Sequence, residues 1–275
     1  GYTVATELLA QDFITLLRNK VVVMAAGARV LDGLVGDIAI PRHSGGATAY
    51  WVAESGAPTE SQQTFEQVAM SPKTVGAYTD ISRKLLKQSS ISVENFVRGD
   101  LATILGIEID RASLHGSGSS NQPTGVAATS GIGSVAGGTN GLAPTWAHIV
   151  ALETEVAVDN ADIGALRYIT NPKVRGKLKA VAVGTDQRMV WENSPQPLNG
   201  YPASVSSQVS STLTKGTSSG VCSAIFFGNW NDLFIGMWGT LDLLVDPYTG
   251  GTAGTVRVIA LQDTDIAVRH PESFS

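Results

Sequence analysis

The sequence predicts an α+β fold, in which helices and strands interleave without a sustained strand–helix–strand rhythm. Residues 91–115 have the periodicity of one long helix. Residues 47–82 contain two strand-like runs on either side of a polar tip. From residue 145 onward, short helical segments alternate with extended ones, and no internal repeat is evident.

The composition allows a large folded core and an unusually uncharged surface. The chain has 275 residues, 43% of them hydrophobic, 16% charged, and 30 of them glycine. An average soluble domain is about 25% charged. A chain with few charges often covers its surface with copies of itself, but a monomer with an uncharged polar surface fits the composition equally well.

The first 42 residues combine a short helical segment with mixed sequence. Residues 5–18 predict a short amphipathic helix with Leu8, Phe13 and Leu17 among its apolar positions. Mixed, Gly-containing sequence follows to Arg42, with extended segments expected over 20–25 and 36–40.

Residues 47–82 predict an extended hairpin. The first strand is expected over 47–53, and the second covers 64–70, breaks at Pro72 and resumes over 74–81. The tip, residues 54–63, contains Glu54 and Glu60 and is too polar for a core. It therefore lies either in solvent or on a partner.

The long helix over 91–115 begins at Ser90 or Ser92 as N-cap and ends at Gly116. At about 1.5 Å per residue it is a rod of roughly 36 Å. His115 at its end is expected to interact with the last carbonyls and the helix dipole.

The rest of the chain is punctuated by glycine and proline. Residues 116–144 are rich in Gly, Ser, Thr, Ala and Asn and predict a loop. The segments after it predict helices over 146–158 and 172–180, and extended runs over 168–171, 203–208, 224–229, 233–238, 241–246, 256–261 and 266–269.

One short motif is a weak indication of catalytic chemistry. Gly216–Gly220 matches G-x-S-x-G, which would make Ser218 a hydrolase nucleophile. A nucleophile elbow needs a helix after the serine, whereas a strand is expected here, so a Ser/Gly loop is favoured. The four histidines have no zinc-site spacing, and the single Cys222 has no nearby histidine. We therefore predict no enzyme, no cofactor and no metal site.

The charge balance argues against a dedicated nucleic-acid reader. The net charge is −5, no basic run is evident, and the cluster of Arg83, Lys84 and Lys87 is too small for that role. Contact with DNA is expected to be weak and non-specific. No apolar stretch reaches the roughly 18 residues of a membrane helix, so no membrane partner is expected.

The order of these parts resembles the major capsid proteins of tailed phages, which have the Hong Kong 97 capsid fold. The resemblance spans nearly the whole chain, and its specific part is the shared order of short motifs. These are Thr64-Phe65 with Lys73-Thr74-Val75, Ile81–Leu86 before the long helix, His115-Gly116-Ser117-Gly118 followed by Asn121–Gly125, Tyr168–Pro172, Asn199–Pro202 and Asp263–Pro271.

The resemblance implies five regions. They are an N-terminal arm over 1–46, an extended hairpin called the E-loop with its flanking strands over 47–82, a peripheral domain with the spine helix over 83–144, a mainly axial domain over 145–255, and a returning strand of the peripheral domain over 256–275. It also implies removal of an N-terminal scaffolding segment, with which a start at Gly1 is compatible.

The function implied is a virion shell. Such proteins form pentamers and hexamers that close into an icosahedral shell around double-stranded DNA, with portal, scaffold or decoration proteins as further partners. We expect assembly contacts on the arm and the hairpin, at Leu8, Phe13, Leu17, Glu54, Glu60, Phe65, Glu66 and Lys73.

Some members of the family join their subunits by a Lys–Asn isopeptide bond that a glutamate assists. The resemblance places Gln67 at the lysine position and Leu261 or Gln262 near the glutamate position. None of these can perform its role, so we predict no covalent cross-links.

Three alternatives stay open. The first is an encapsulin-like shell that encloses enzymes, which the same fold would allow. The second is a serine hydrolase that uses Ser218. The third is a carbohydrate-binding or tail-fibre module, against which the long helix argues, because such modules consist mostly of strands.

Overall fold

A computed structural model describes residues 18–88, 93–184, 188–192 and 197–275. The first half of the chain forms the hairpin and the long helix. Its elements are α1 (Val23–Ala26), β1 (Arg29–Leu34), β2 (Ile38–Gly45), β3 (Thr64–Met70), β4 (Lys73–Ser82), α2 (Arg83–Gln88) and α3 (Val93–His115).

The second half alternates short helices with strands and closes with two long strands. Its elements are α4 (Trp146–Val158), β5 (Leu166–Thr170), α5 (Pro172–Leu178), β6 (Ala203–Val205), β7 (Leu213–Lys215), β8 (Ser218–Cys222), β9 (Ile225–Asn229), β10 (Leu233–Asp246) and β11 (Thr255–Val268). The α+β prediction is confirmed.

The main sheet has the strand order β1-β10-β11-β4, with β1 parallel to β10 and the other pairs antiparallel. Helix α3 packs on one face, where Leu101 and Leu105 meet Val258 and Ala260. On β4 and β11, Arg257 donates to both carboxylate oxygens of Asp80 and lies 4.4 Å from the centre of the Tyr78 ring.

A smaller sheet, with the order β6-β5-β9, carries α4 and α5. Tyr168, Leu178 and Phe227 are buried in the core between them. A third cluster joins the two sheets through Trp230 and Phe274, whose rings meet edge to face at 5.4 Å. The chain thus has two sheet layers with a shared apolar junction.

The hairpin has a different outgoing strand from the one predicted. The return strands β3 and β4 agree with the prediction, but residues 47–53 form no strand. β3 pairs instead with β2, residues 38–45, in a separate two-stranded ribbon. Ile38 and Ile40 alternate toward the body, which fixes this register, whereas residues 47–53 have no core beneath them.

Two long strands were each predicted as two short ones. β10 runs through Gly239, whose φ of +69° and a register shift between Trp238 and Asp242 mark a bulge. β11 is continuous through Asp263 and Asp265. Conversely, the extended segment expected over 20–25 is wrong in part, because residues 23–26 form the helical turn α1.

Most helix and loop predictions are confirmed. α4 covers the predicted residues, and α3 is described from Val93 onward; the suggested N-caps Ser90 and Ser92 lie outside the described residues. Residues 116–144 are loop apart from one 3₁₀ turn over 126–128. A Cβ at Gly116 would collide with the carbonyl oxygen of Pro123, so glycine is needed where α3 ends. The helix predicted over 5–18 lies outside the described residues, except for Arg18.

Candidate assembly surface

The ribbon formed by β2 and β3 is anchored at its root. Met70 is 1% exposed and packs with Phe234 and Trp238 of the main sheet. Ile38, Ile40 and Val68 are partly buried against the same cluster. The root therefore belongs to the body of the subunit.

Beyond the root, the ribbon and its tip present large apolar side chains to solvent. Trp51 is fully exposed, and Tyr50 and Val52 are about half exposed. Phe65 is 69% exposed and contacts only one ring within the chain's described part, that of His43, at 5.2 Å. Clustered exposed aromatics are typical of an interaction site rather than of a free surface.

The tip has little internal structure to hold it. Residues 46–63 form no strand, and their cross-tip contact is Ser61 with Thr48, where the Thr48 N–H donates to the Ser61 Oγ at 2.9 Å. Glu54 and Glu60 are exposed in this segment. A two-stranded ribbon is at best marginally stable alone, so an external surface would stabilise this one.

The predicted contacts Phe65 and Glu66 lie side by side on β3, toward the outer end of the ribbon. Glu66 is paired with Arg42 across the ribbon at 2.6 Å, and its side chain is 54% exposed. The structure thus brings Glu54, Glu60, Phe65 and Glu66 onto one protruding element. Leu8, Phe13 and Leu17 lie outside the described residues.

Lys73 lies apart from this group, at the start of β4 in the main sheet. Its Nζ donates to Asp265 Oδ1 at 2.6 Å, and Asp265 is only 4% exposed. The backbone N–H of Ser71 donates to the other oxygen of Asp265 at 3.0 Å. The ammonium of Lys73 is therefore engaged within the subunit, where it compensates a buried carboxylate.

The end of the arm, residues 18–26, runs along α3 and is stapled to it twice. Arg18 makes a bidentate contact with Asp100, at 2.6 and 2.8 Å. The backbone N–H groups of Val22 and Val23 both donate to Asp110 Oδ1, at 2.9 and 2.8 Å.

Asp110 is an unusual residue for the middle of a packed helix, because it is 1% exposed. Burial raises the pKa of its carboxyl, and the two backbone N–H donors only partly oppose this. Its second oxygen, Oδ2, has no hydrogen-bond partner among the residues that the structure describes. Asp110 therefore fixes the arm at an electrostatic cost.

The hydrolase pattern does not form a nucleophile elbow. Ser218 begins β8, and Gly216 and Thr217 form the turn between β7 and β8. A strand thus follows the serine where a nucleophile elbow has a helix. The turn is fixed by Thr217 N–H, which donates to Asn140 Oδ1 at 2.9 Å.

The described residues lack two further features. They contain no cluster of three or more His, Cys, Asp or Glu side chains arranged to hold a metal ion. Within the same ranges, no helix is both long and apolar enough to cross a membrane.

The positions that the resemblance assigns to a cross-link lie on two different sheets. Gln67 is exposed on β3, opposite Pro41. On β11, Leu261 is 39% exposed whereas Gln262 is 7% exposed, and the Gln262 amide donates to the carbonyl of Asp263 at 3.0 Å.

Comparison with known proteins agrees with this architecture. The structure resembles the capsid of a native GTA particle with a TM-score of 0.77 and 18% identity, over 98% of this chain and 94% of that one. At this identity the similarity concerns the fold, and it confirms the predicted capsid fold.

Two curated relatives cover the full length of this chain. It is 34% identical to the major capsid protein of Halomonas phage phiHAP-1 over 277 residues, and 26% identical to that of Klebsiella oxytoca phage phiKO2 over 300 residues. The chain spans 43% of the length of the first relative and 67% of the second. The model of the phage capsid family matches residues 1–275, and the chain therefore belongs to that family.

Proposed function

We propose that this chain is the shell-building subunit of a phage virion, forming pentamers and hexamers that close into an icosahedral shell around double-stranded DNA. Membership of the phage capsid family supports this, as do the curated relatives, which are major capsid proteins. Those relatives give no support to the alternative of an enzyme-filled compartment. Portal, scaffold and decoration proteins are further proposed partners.

The single structural observation that carries the proposal is the protruding ribbon with its exposed aromatic residues. A fully exposed tryptophan beside half-exposed Tyr50 and Val52 would be stabilised by burial, at about 25 cal/mol per Å² of apolar area. We propose that the tip docks on a sister subunit, with Glu54, Glu60, Phe65 and Glu66 at that contact. Many such contacts per subunit would give the large interfaces of obligate assemblies.

We also propose a domain organisation that fits this function. The spine helix and main sheet would form the peripheral domain, the smaller sheet with α4 and α5 the axial domain, and β11 the returning strand. Leu8, Phe13 and Leu17 on the arm are proposed to contact neighbours, and Lys73 would contribute only through the part of its side chain that its ion pair leaves free.

The test compares two double variants of matched exposure. Trp51→Ser/Phe65→Ser removes the aromatic groups of the ribbon, whereas Tyr248→Ser/Val221→Ser removes side chains that are 88% and 69% exposed elsewhere. Both should fold, because none of these side chains is in the core.

Particles are counted by electron microscopy and analytical sedimentation. The wild-type chain and the control variant should form closed particles, and the ribbon variant should remain as small oligomers. A wild-type chain that stays monomeric at every concentration, or a ribbon variant that assembles normally, would contradict the proposal.

A further inference from the structure

Helix α5 concentrates positive charge in an acidic protein. Lys173, Arg175 and Lys177 lie within it and Lys179 is its C-cap, so four of the chain's 19 basic residues fall within seven positions. Residues 163–185 contain no Asp or Glu, although the net charge of the chain is −5.

The four basic side chains share the outer side of the helix. Val174 and Leu178 are buried in the core of the smaller sheet, which fixes the inner side. Lys173, Lys177 and Lys179 are exposed, and Arg175 is half-buried. A Cβ placed on Gly176 between them would have no atom within 4 Å, so the surface there is open.

These charges have no ion-pair partner within the part of the chain that the structure describes. Among the residues that the structure describes, none of the four has a carboxylate within ion-pair distance, whereas Arg18, Arg42, Lys73, Arg111, Arg188 and Arg257 each have one. Residues 188–192 reach the end of α5, where the Trp191 N–H donates to the Leu178 carbonyl. The one carboxylate on that segment, Glu192, pairs with Arg188 instead.

Helix stability does not account for the arrangement. Lys173 and Lys177, and likewise Arg175 and Lys179, are like-charged residues four positions apart, which repel each other on a helix. Lys173 lies in the first turn, where the helix dipole disfavours a cation, and no acidic residue offsets it there. Only the residues of the last turn are favoured by the dipole, so interactions within the helix give no reason for four basic residues here.

We propose that the outer side of α5 binds the phosphate backbone of packaged double-stranded DNA. This inference rests on the proposed function and names the surface that faces the genome. The four residues offer charge without aromatic rings for stacking or amides for reading base edges, so binding would be independent of sequence. Protein interfaces, in contrast, are depleted in lysine at their centres, which favours DNA over an acidic face of a sister subunit.

The strength of such a contact is bounded by its charge. Four phosphate contacts give a slope of about −3.6 in log K against log salt concentration. Each subunit would then bind DNA weakly at physiological salt. The many subunits of a shell would together line the cavity with positive charge that partly neutralises the DNA phosphates.

The experiment measures anisotropy of a labelled duplex of about 30 base pairs and mixed sequence, titrated with the full chain between about 50 and 300 mM salt. The test variant is K173Q/R175Q/K177Q/K179Q. A matched control, K20Q/K84Q/K87Q/K215Q, removes the same number of exposed positive charges elsewhere. A third variant with arginine at 173, 177 and 179 keeps the charge. Circular dichroism checks that all fold, and electron microscopy of the same samples records particle formation.

We expect the test variant to lose at least tenfold in affinity and most of its salt dependence, while the control and the arginine variant bind within about threefold of wild type. Equal losses in the test variant and the control would overturn the inference, since net charge alone would then explain binding. Unchanged DNA binding with lost particles would overturn it in favour of a sister-subunit contact. A wild-type chain that binds DNA but forms no particles would count against the proposed function alone.

Discussion

His115 shows how one side chain can join two parts of the molecule. It lies at the end of α3, where its Nε2 accepts a hydrogen bond from the Ser210 N–H at 3.0 Å and its ring meets Phe226 edge to face at 5.3 Å. Burial lowers the pKa of His115, and the nearby Arg111 lowers it further. A ring that accepts at Nε2 must be neutral.

We predict that this histidine makes stability depend on pH. Its pKa in the folded chain is below the ordinary value of 6.5, so the unfolded chain binds the proton more readily. The contribution of His115 is therefore fully present above pH 6.5 and declines as the pH falls below that value. His115→Gln removes this titration, so the wild-type chain should lose stability relative to the variant as the pH falls.

The measurement is urea unfolding of both chains at several values between about pH 5 and 8. A constant difference in unfolding free energy across this range would contradict the prediction. The comparison of the two chains also controls for the titration of the carboxylates and of the other histidines, because these groups are present in both.

Neither this contact nor the role of Asp110 could be predicted from the sequence. The sequence predicts that His115 interacts with the end of its own helix. Its observed hydrogen-bond partner is instead Ser210, which is 95 positions away. Asp110 likewise binds the backbone of residues 22 and 23. Side-chain contacts to distant backbone groups leave no periodicity in the sequence, so they cannot be predicted from sequence patterns.

At the scale of elements, α3 and the end of the arm act as one unit. Asp110 satisfies two backbone N–H groups in the core, whereas Asp100 binds Arg18 at a position where both side chains are about a third exposed. The two staples should therefore contribute very differently to stability.

We predict that Asp110→Ala lowers the unfolding free energy by about 2–4 kcal/mol. Two buried donors left unsatisfied cost about 1–3 kcal/mol each, and removal of the desolvated carboxylate offsets part of that loss. The control Asp100→Ala should cost about 1 kcal/mol or less, as exposed ion pairs do. Denaturant midpoints of both variants provide the test, and equal losses would show that the buried staple is not special.

The elements differ in how far the sequence determines them. α4 and β3 were predicted to the residue because each has clear punctuation, with Pro144 and Thr145 before the helix and Ser71-Pro72 after the strand. The predicted partner of β3 is wrong. Ala47–Ala53 contains good strand formers, but pairing is decided by which residues lie over the core. The basic helix α5 escapes a search for consecutive charges, because Val174, Gly176 and Leu178 separate them.

At the scale of the whole molecule, the proposed shell would be held by non-covalent contacts. At the positions where the sequence resemblance would place the lysine and the assisting glutamate of a Lys–Asn cross-link, this chain has Gln67 and Leu261 or Gln262. The nearby amine of Lys73 is engaged with Asp265.

We therefore predict that particles assembled from this chain, boiled in detergent, release only the monomeric chain. Denaturing gels and intact mass spectrometry would check this. A ladder of covalent multimers, or loss of the mass of ammonia from a linked pair, would contradict it.

The proline in the ribbon has a consequence for the protein before it assembles. Pro41 lies opposite Gln67 and has no N–H, and Arg42 follows it with Glu66 across the ribbon. An isolated two-stranded ribbon would otherwise offer open edges on which further chains could stack into fibrils. A missing donor beside paired charges interrupts such growth, so the β2 edge of the ribbon is a poor template for pairing with another chain.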